Sequence, residues 1–154
     1  MGTFSIIILG SFVVGFLFRS KKLYGLIKRA TGYSIRKAET TIDAQAQIAS
    51  TGCLGMLCFP FFCLFFITPI YLFFRVDWWI PIVSFIVGLT IGNLIGYLIE
   101  RLFKLPNHHF RDSSYDLNAA ELTYDNGLYQ RVFCLLIFYN AASLIIFLII
   151  IFSV

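Results

Sequence analysis

The chain has 154 residues, of which 59% are hydrophobic and 13% are charged, and its formal net charge is +4. Soluble proteins average about 45–50% apolar and about 25% charged residues. A soluble domain of this size buries only about two-thirds of its surface, so water alone cannot be its solvent. The composition predicts a single all-α integral membrane domain over residues 1–154, without room for a separate soluble catalytic domain.

In chain order, four apolar runs lack Asp, Glu, Lys, Arg and His. They predict four transmembrane helices at about 3–18, 53–74, 78–99 and 132–154. The last three are long enough to cross a hydrocarbon core of about 30 Å, whereas the first is at the short edge of the usual range of about 17–25 residues. Basic residues follow the first run instead of preceding it, which is the wrong polarity for a signal peptide. We therefore expect a retained helix.

The two long connections, 19–52 and 100–131, set the expected orientation. Seven Lys and Arg residues fall in the first connection before its first acid, Glu39. The positive-inside rule then places both connections in the cytoplasm and both termini outside. Part of the first connection, Ser34–Ser50, has a weak helical stripe of apolar residues. This orientation predicts a multi-pass protein of the bacterial inner membrane, with an organellar inner membrane as the other possibility.

The first connection begins with a basic segment in which Leu and Ile alternate with positive side chains, namely Lys21, Lys22, Lys28 and Arg29. This pattern favours a helix on the inner leaflet that contacts anionic lipid, at about 1 kcal/mol per base. Docking to an acidic cytosolic protein is the alternative. Nucleic acid is the least favoured partner of this segment.

The third run carries the most specific pattern in the chain, the glycine ladder Gly88, Gly92 and Gly96. Glycines four residues apart lie on one helical face and allow a second helix to approach closely. Thr90 and Asn93 lie with Tyr97 on a second, polar strip. That strip predicts either an internal hydrogen-bonding seam or the lining of an oligomeric pore or ligand site.

The fourth run also has a polar side, formed by Asn140 and Ser143. An amide inside hydrocarbon needs a partner. We therefore expect this side to face the polar strip of the third helix, with Asn93 and Asn140 satisfying each other reciprocally.

The remaining polar residues predict no enzyme. Glu100 is expected to be solvated beside Arg101, which leaves no ionisable group at membrane depth and argues against pumps and secondary transporters. His108 and His109 are adjacent and lack the further ligands of a tetrahedral metal site. The four cysteines are expected to be buried apolar residues. The sequence thus predicts no catalytic residue, no metal and no cofactor.

These features predict a non-enzymatic membrane subunit that anchors a complex and presents cytoplasmic loops to a partner. Expected partners are anionic lipid, other membrane subunits or further copies of the chain, and a cytosolic protein. The alternative is a homo-oligomeric pore or membrane-disrupting effector. In the layout of its helices and loops alone, the chain resembles the four-helix membrane subunits of some bacterial anti-phage systems, such as Kiwa.

Overall fold

The computed structural model describes residues 2–37, 73–105 and 125–153, together with Leu122 and ten isolated positions between 42 and 71. Three long helices account for most of these residues, and the described residues contain no strand. They are α1 (Thr3–Lys37), α2 (Trp79–Leu102) and α3 (Asn126–Ser153).

All three helices are long and apolar enough to cross a membrane, over Thr3–Gly32, Trp79–Leu102 and Gly127–Ser153. The prediction of an all-α fold with helices long enough to cross a membrane is therefore confirmed for the described residues. Most of the predicted helix 53–74 lies outside the described residues, but the positions described within it are helical.

The predicted end of the first helix at Phe18 is wrong, because α1 continues without a break to Lys37. No proline interrupts it, and Lys, Arg, Leu and Ala are good helix formers. An apolar stripe with helical spacing, Leu23, Leu26, Ile27 and Ala30, is buried along this second half. Packing of that stripe stabilises the helix beyond the membrane-length run.

Helix α1 is the central helix, in contact with both α2 and α3. It runs parallel to α2, since a Cβ on Gly10 would lie 3.1 Å from Ser84 and a Cβ on Gly15 would lie 2.5 Å from Gly92. It runs antiparallel to α3. Ile6 packs with Ile150, and the rings of Phe16 and Tyr139 are stacked at 5.4 Å between centroids.

These directions define two ends of the bundle. The tryptophan end, where α2 begins at Trp79, also holds the N-terminus of α1 and the C-terminus of α3. The basic end holds Lys37, Leu102 and the start of α3. Because α1 and α2 are parallel, the end of α1 and the start of α2 lie at opposite ends of the bundle. The end of α2 and the start of α3 both lie at the basic end.

Two features shape α2. Residues Gly88–Gly92 form one π-helical turn, in which the N–H of Asn93 donates to the carbonyl of Gly88 five residues earlier. At its C-terminus, the N–H of Lys104 donates to Arg101 O at 3.0 Å and that of Leu105 donates to Glu100 O at 3.1 Å. This is the Schellman pattern, which usually places Gly in the left-handed position. Here Lys104 occupies it, with φ of 57°.

Candidate functional site

A buried ion pair joins α1 to α2. The distance between Arg19 Nε and Glu100 Oε1 is 3.5 Å, and the two side chains are 6% and 5% exposed. Arg19 Nε also donates to the backbone carbonyl of Asn93 at 3.2 Å. Its guanidinium carbon lies 5.6 Å from the ring centroid of Tyr97. Removing either charge would leave the other one buried without its counter-ion.

Tyr139 connects this pair to α3. Its hydroxyl donates to the carbonyl of Gly96 at 2.8 Å and lies 3.3 Å from Glu100 Oε1. A phenol has one proton, so the shorter contact holds the stronger hydrogen bond. The carboxylate of Glu100 therefore lies where all three helices meet.

A second polar contact lies beside the first. Ser20 Oγ, fully buried, donates to Asn140 Oδ1 at 3.0 Å. The amide nitrogen of Asn140 donates in turn to Leu136 O at 2.9 Å. We use the term buried polar junction for Arg19, Ser20, Glu100, Tyr139 and Asn140.

The glycine ladder makes this junction possible. A Cβ on Gly92 would lie 2.6 Å from the carbonyl oxygen of Ser11, and a Cβ on Gly88 would lie 2.6 Å from Val14 Cβ. Real Cβ atoms are not found so close to another heavy atom, so these positions require glycine. At Gly96 the space is filled by Cγ of Arg19, 2.8 Å from where a Cβ would be. The ladder thus brings α2 close enough to α1 for Arg19 to reach Glu100.

The structure distributes the predicted polar strip among several partners. Thr90 is exposed, and its hydroxyl bonds to Ile86 O within its own helix at 3.1 Å. Tyr97 lies beside the guanidinium group of Arg19. Ser143 Oγ donates to Tyr139 O at 2.7 Å. The strip therefore does not form one continuous polar surface.

The expected pairing of Asn93 with Asn140 is wrong. Asn140 bonds to Ser20 on α1, while Asn93 Oδ1 is buried without a hydrogen-bond partner among the described residues. The prediction failed because it treated the third and fourth predicted helices as direct neighbours. The central position of α1 gives Asn140 a nearer partner.

The expected solvation of Glu100 is also wrong, since this residue is only 4% exposed. Glu100 lies four residues after Gly96 and so continues the four-residue spacing of the glycine ladder. That spacing was a signal that Glu100 lies on the packing face of α2. Sequence reasoning does not find Arg19, Ser20 and Tyr139, because Arg19 and Ser20 fall in the predicted connection 19–52 and Tyr139 falls inside the fourth apolar run.

The basic segment is oriented differently from the prediction. Leu23, Leu26 and Ile27 are buried against protein, together with Leu105, Leu122 and residues of α3, so they cannot face lipid. Lys21, Lys28 and Arg29 are exposed on the other side. Lys22 is half-buried, and its ammonium lies 4.6 Å from the ring centroid of Phe18.

The described cysteines, Cys53 and Cys134, are exposed, contrary to the expectation of burial. Cys58, Cys63, His108 and His109 lie outside the described residues. Within the described ranges, no group of three or more His, Cys, Asp or Glu residues is arranged to hold a metal ion.

The buried polar junction is thus the strongest candidate site. Comparisons with protein-family models, with curated proteins and with solved structures find no match. Function is therefore argued from the contacts of the junction and from the surfaces around it.

Proposed function

We propose that the chain is a non-catalytic, multi-pass membrane subunit that anchors a membrane complex. The observation that carries the proposal is the combination of a buried ion pair inside the three-helix bundle with apolar side chains on its outer faces. The side chains of Arg19, Glu100 and Tyr139 hold helices together instead of opening onto a cleft.

The depth of the ion pair supports a fixed arrangement of helices. Ile6 packs against Ile80 at the tryptophan end, and about 20 Å of helix separates it from Arg19. A hydrocarbon core is about 30 Å thick, so Arg19 would lie inside the membrane, where an unpaired charge is costly. Pairing with Glu100 removes the net charge and favours a single register of α1 against α2.

The outer faces supply the surface for association. On α2 and α3 most of the exposed side chains in the apolar runs are large and hydrophobic, among them Ile82, Ile86, Leu94, Leu98, Ile145 and Leu148. Such faces suit lipid and the helices of other membrane proteins. In the proposed orientation, the basic end lies in the cytoplasm and the tryptophan end lies outside.

The polar strip of α2 gives less support to a pore. Tyr97 lies against Arg19, and the carbonyl of Asn93 accepts a hydrogen bond from the same side chain. These groups contribute to packing inside one chain, which leaves Thr90 as the exposed polar side chain of that strip. We therefore favour the subunit over the homo-oligomeric pore.

The test is native mass spectrometry of the tagged protein, extracted from its own membranes in mild detergent after a carbonate wash. We expect the chain to resist the wash and to appear at a fixed ratio with at least one other polypeptide. Leu94→Gln, which places an amide on the exposed face, should weaken that assembly more than the matched change Arg101→Gln at an exposed position of the same helix.

Three outcomes would contradict the proposal. Release by carbonate would exclude membrane insertion, and isolation as a lone monomer would exclude a complex. A ring of identical chains that conducts ions in liposomes would establish the pore.

A further inference from the structure

The second half of α1 has an uncovered side that continues its interface with α2. Toward the tryptophan end, Ser11 and Gly15 on this side contact the glycine ladder. Helix α2 ends at Leu102, whereas α1 continues to Lys37. The continuation of the same side toward the basic end is formed by Lys21, Gly25 and Lys28, which we call the basic face.

The residues of the basic face are close together on the helix surface. At about 100° per residue, Lys21, Gly25 and Lys28 fall within about 60° of arc. Lys21 and Lys28 are exposed, and a Cβ on Gly25 would meet no atom within 4 Å. Gly25 therefore leaves an open gap on the helix between two lysines.

The charge of this face is not offset by acids on its own helix. Helix α1 contains no Asp or Glu. Glu100, the acid of α2 at this level, is buried and paired with Arg19. The opposite side of α1 is apolar and packed against protein. Among the described residues, neither helix therefore offers Lys21 or Lys28 an acid partner, and the basic face is suited to an anion.

Its level along the bundle identifies the source of that anion. From Ile6 to Gly25 the helix rises about 28 Å, and from Ile6 to Lys28 about 33 Å. From Ile80, the partner of Ile6, to the end of α2 at Leu102 the rise is also about 33 Å. With a hydrocarbon core of about 30 Å, Gly25 and Lys28 lie at the level of lipid phosphates at the basic end. Lys21 is about 22 Å from Ile6 and reaches that level by extending its long side chain toward the basic end.

We propose that the basic face binds the headgroup phosphate of an anionic phospholipid, with Gly25 allowing the phosphate to approach the helix between Lys21 and Lys28. The inference rests on the proposed membrane insertion. Each base near an anionic surface contributes roughly fivefold in affinity, so neutralising both lysines should weaken binding about 25-fold.

The experiment uses the full chain reconstituted in nanodiscs that contain phosphatidylcholine and phosphatidylglycerol. Native mass spectrometry measures how strongly phosphatidylglycerol is enriched among the lipids that remain bound. We expect the enrichment to be lost in the double variant Lys21→Gln, Lys28→Gln. It should remain in the matched double variant Arg101→Gln, Lys104→Gln, which removes two exposed bases from the end of α2 and leaves the same net charge.

A second variant separates the site from net charge. Gly25→Leu keeps every charge and fills the gap, so it should also lower the enrichment by several-fold. Inorganic phosphate added at millimolar concentration should not displace the lipid, and displacement would show that the face takes free phosphate instead. An equal loss in the two double variants, or full enrichment in Gly25→Leu, would overturn the proposal.

Membrane insertion is measured first for every variant by resistance to carbonate. A wild-type chain that is released overturns the proposed function. An inserted wild-type chain without lipid preference overturns only the lipid site, and an acidic protein partner then becomes the explanation of the basic face. If the lysine variant fails to insert, Gly25→Leu decides the question.

Discussion

The pairing of Arg19 with Glu100 allows a quantitative prediction. At the observed separation of 3.5 Å, two unit charges attract by about 5 kcal/mol at an effective dielectric constant of about 20, and by about 1 kcal/mol in water. Breaking a buried pair by removing one partner typically costs about 3–5 kcal/mol. Replacing both partners with apolar residues of similar size is close to neutral, because no unpaired charge is left behind.

We therefore expect Arg19→Met and Glu100→Met each to destabilise the bundle by about 3–5 kcal/mol, and the double variant to recover to within about 1 kcal/mol of the wild type. The assay is reversible unfolding in mixed micelles, followed by circular dichroism. Arg101→Met is the control, since Arg101 is the exposed neighbour of Glu100. Additive costs in the double variant, or equal costs at Glu100 and Arg101, would refute the assignment of a buried ion pair.

Three further predictions use the same unfolding assay. Gly92→Ala should lower the free energy of unfolding by about 1–3 kcal/mol, because its Cβ would lie 2.6 Å from a carbonyl oxygen of α1. The control Gly32→Ala lies in open space and should raise the free energy of unfolding by up to about 1 kcal/mol. Equal effects would contradict the close helix contact. Lys104→Gly should stabilise the protein by roughly 0.5–1 kcal/mol, because glycine relieves the left-handed backbone strain, and a loss of stability would argue against the strain. Asn140→Leu should destabilise the protein by about 1–3 kcal/mol, because it leaves the Ser20 hydroxyl buried without its acceptor. The double variant with Ser20→Ala should lose less stability than the sum of the two single variants, and strict additivity would show that the two side chains do not interact.

The sequence by itself determined the α-helical class and the approximate positions of the three apolar helices that the structure describes. Long runs without charge can satisfy their backbone groups in lipid only as helices, which is why composition and run length were sufficient. The four-residue spacing of the ladder likewise predicted a close-packed face on α2, because that spacing fixes a common side of a helix whatever it packs against.

Only the tertiary structure decided which polar groups meet. Arg19 was read as the first loop residue because a charge normally ends an apolar run, yet Glu100 on α2 neutralises it inside the bundle. Asn140 pairs with Ser20 because α1, not α2, is its neighbour. Periodicity gives the face on which a residue lies but not the helix that this face contacts. That choice depends on the order in which three helices pack, and the order is set by contacts between residues 74 to 120 positions apart.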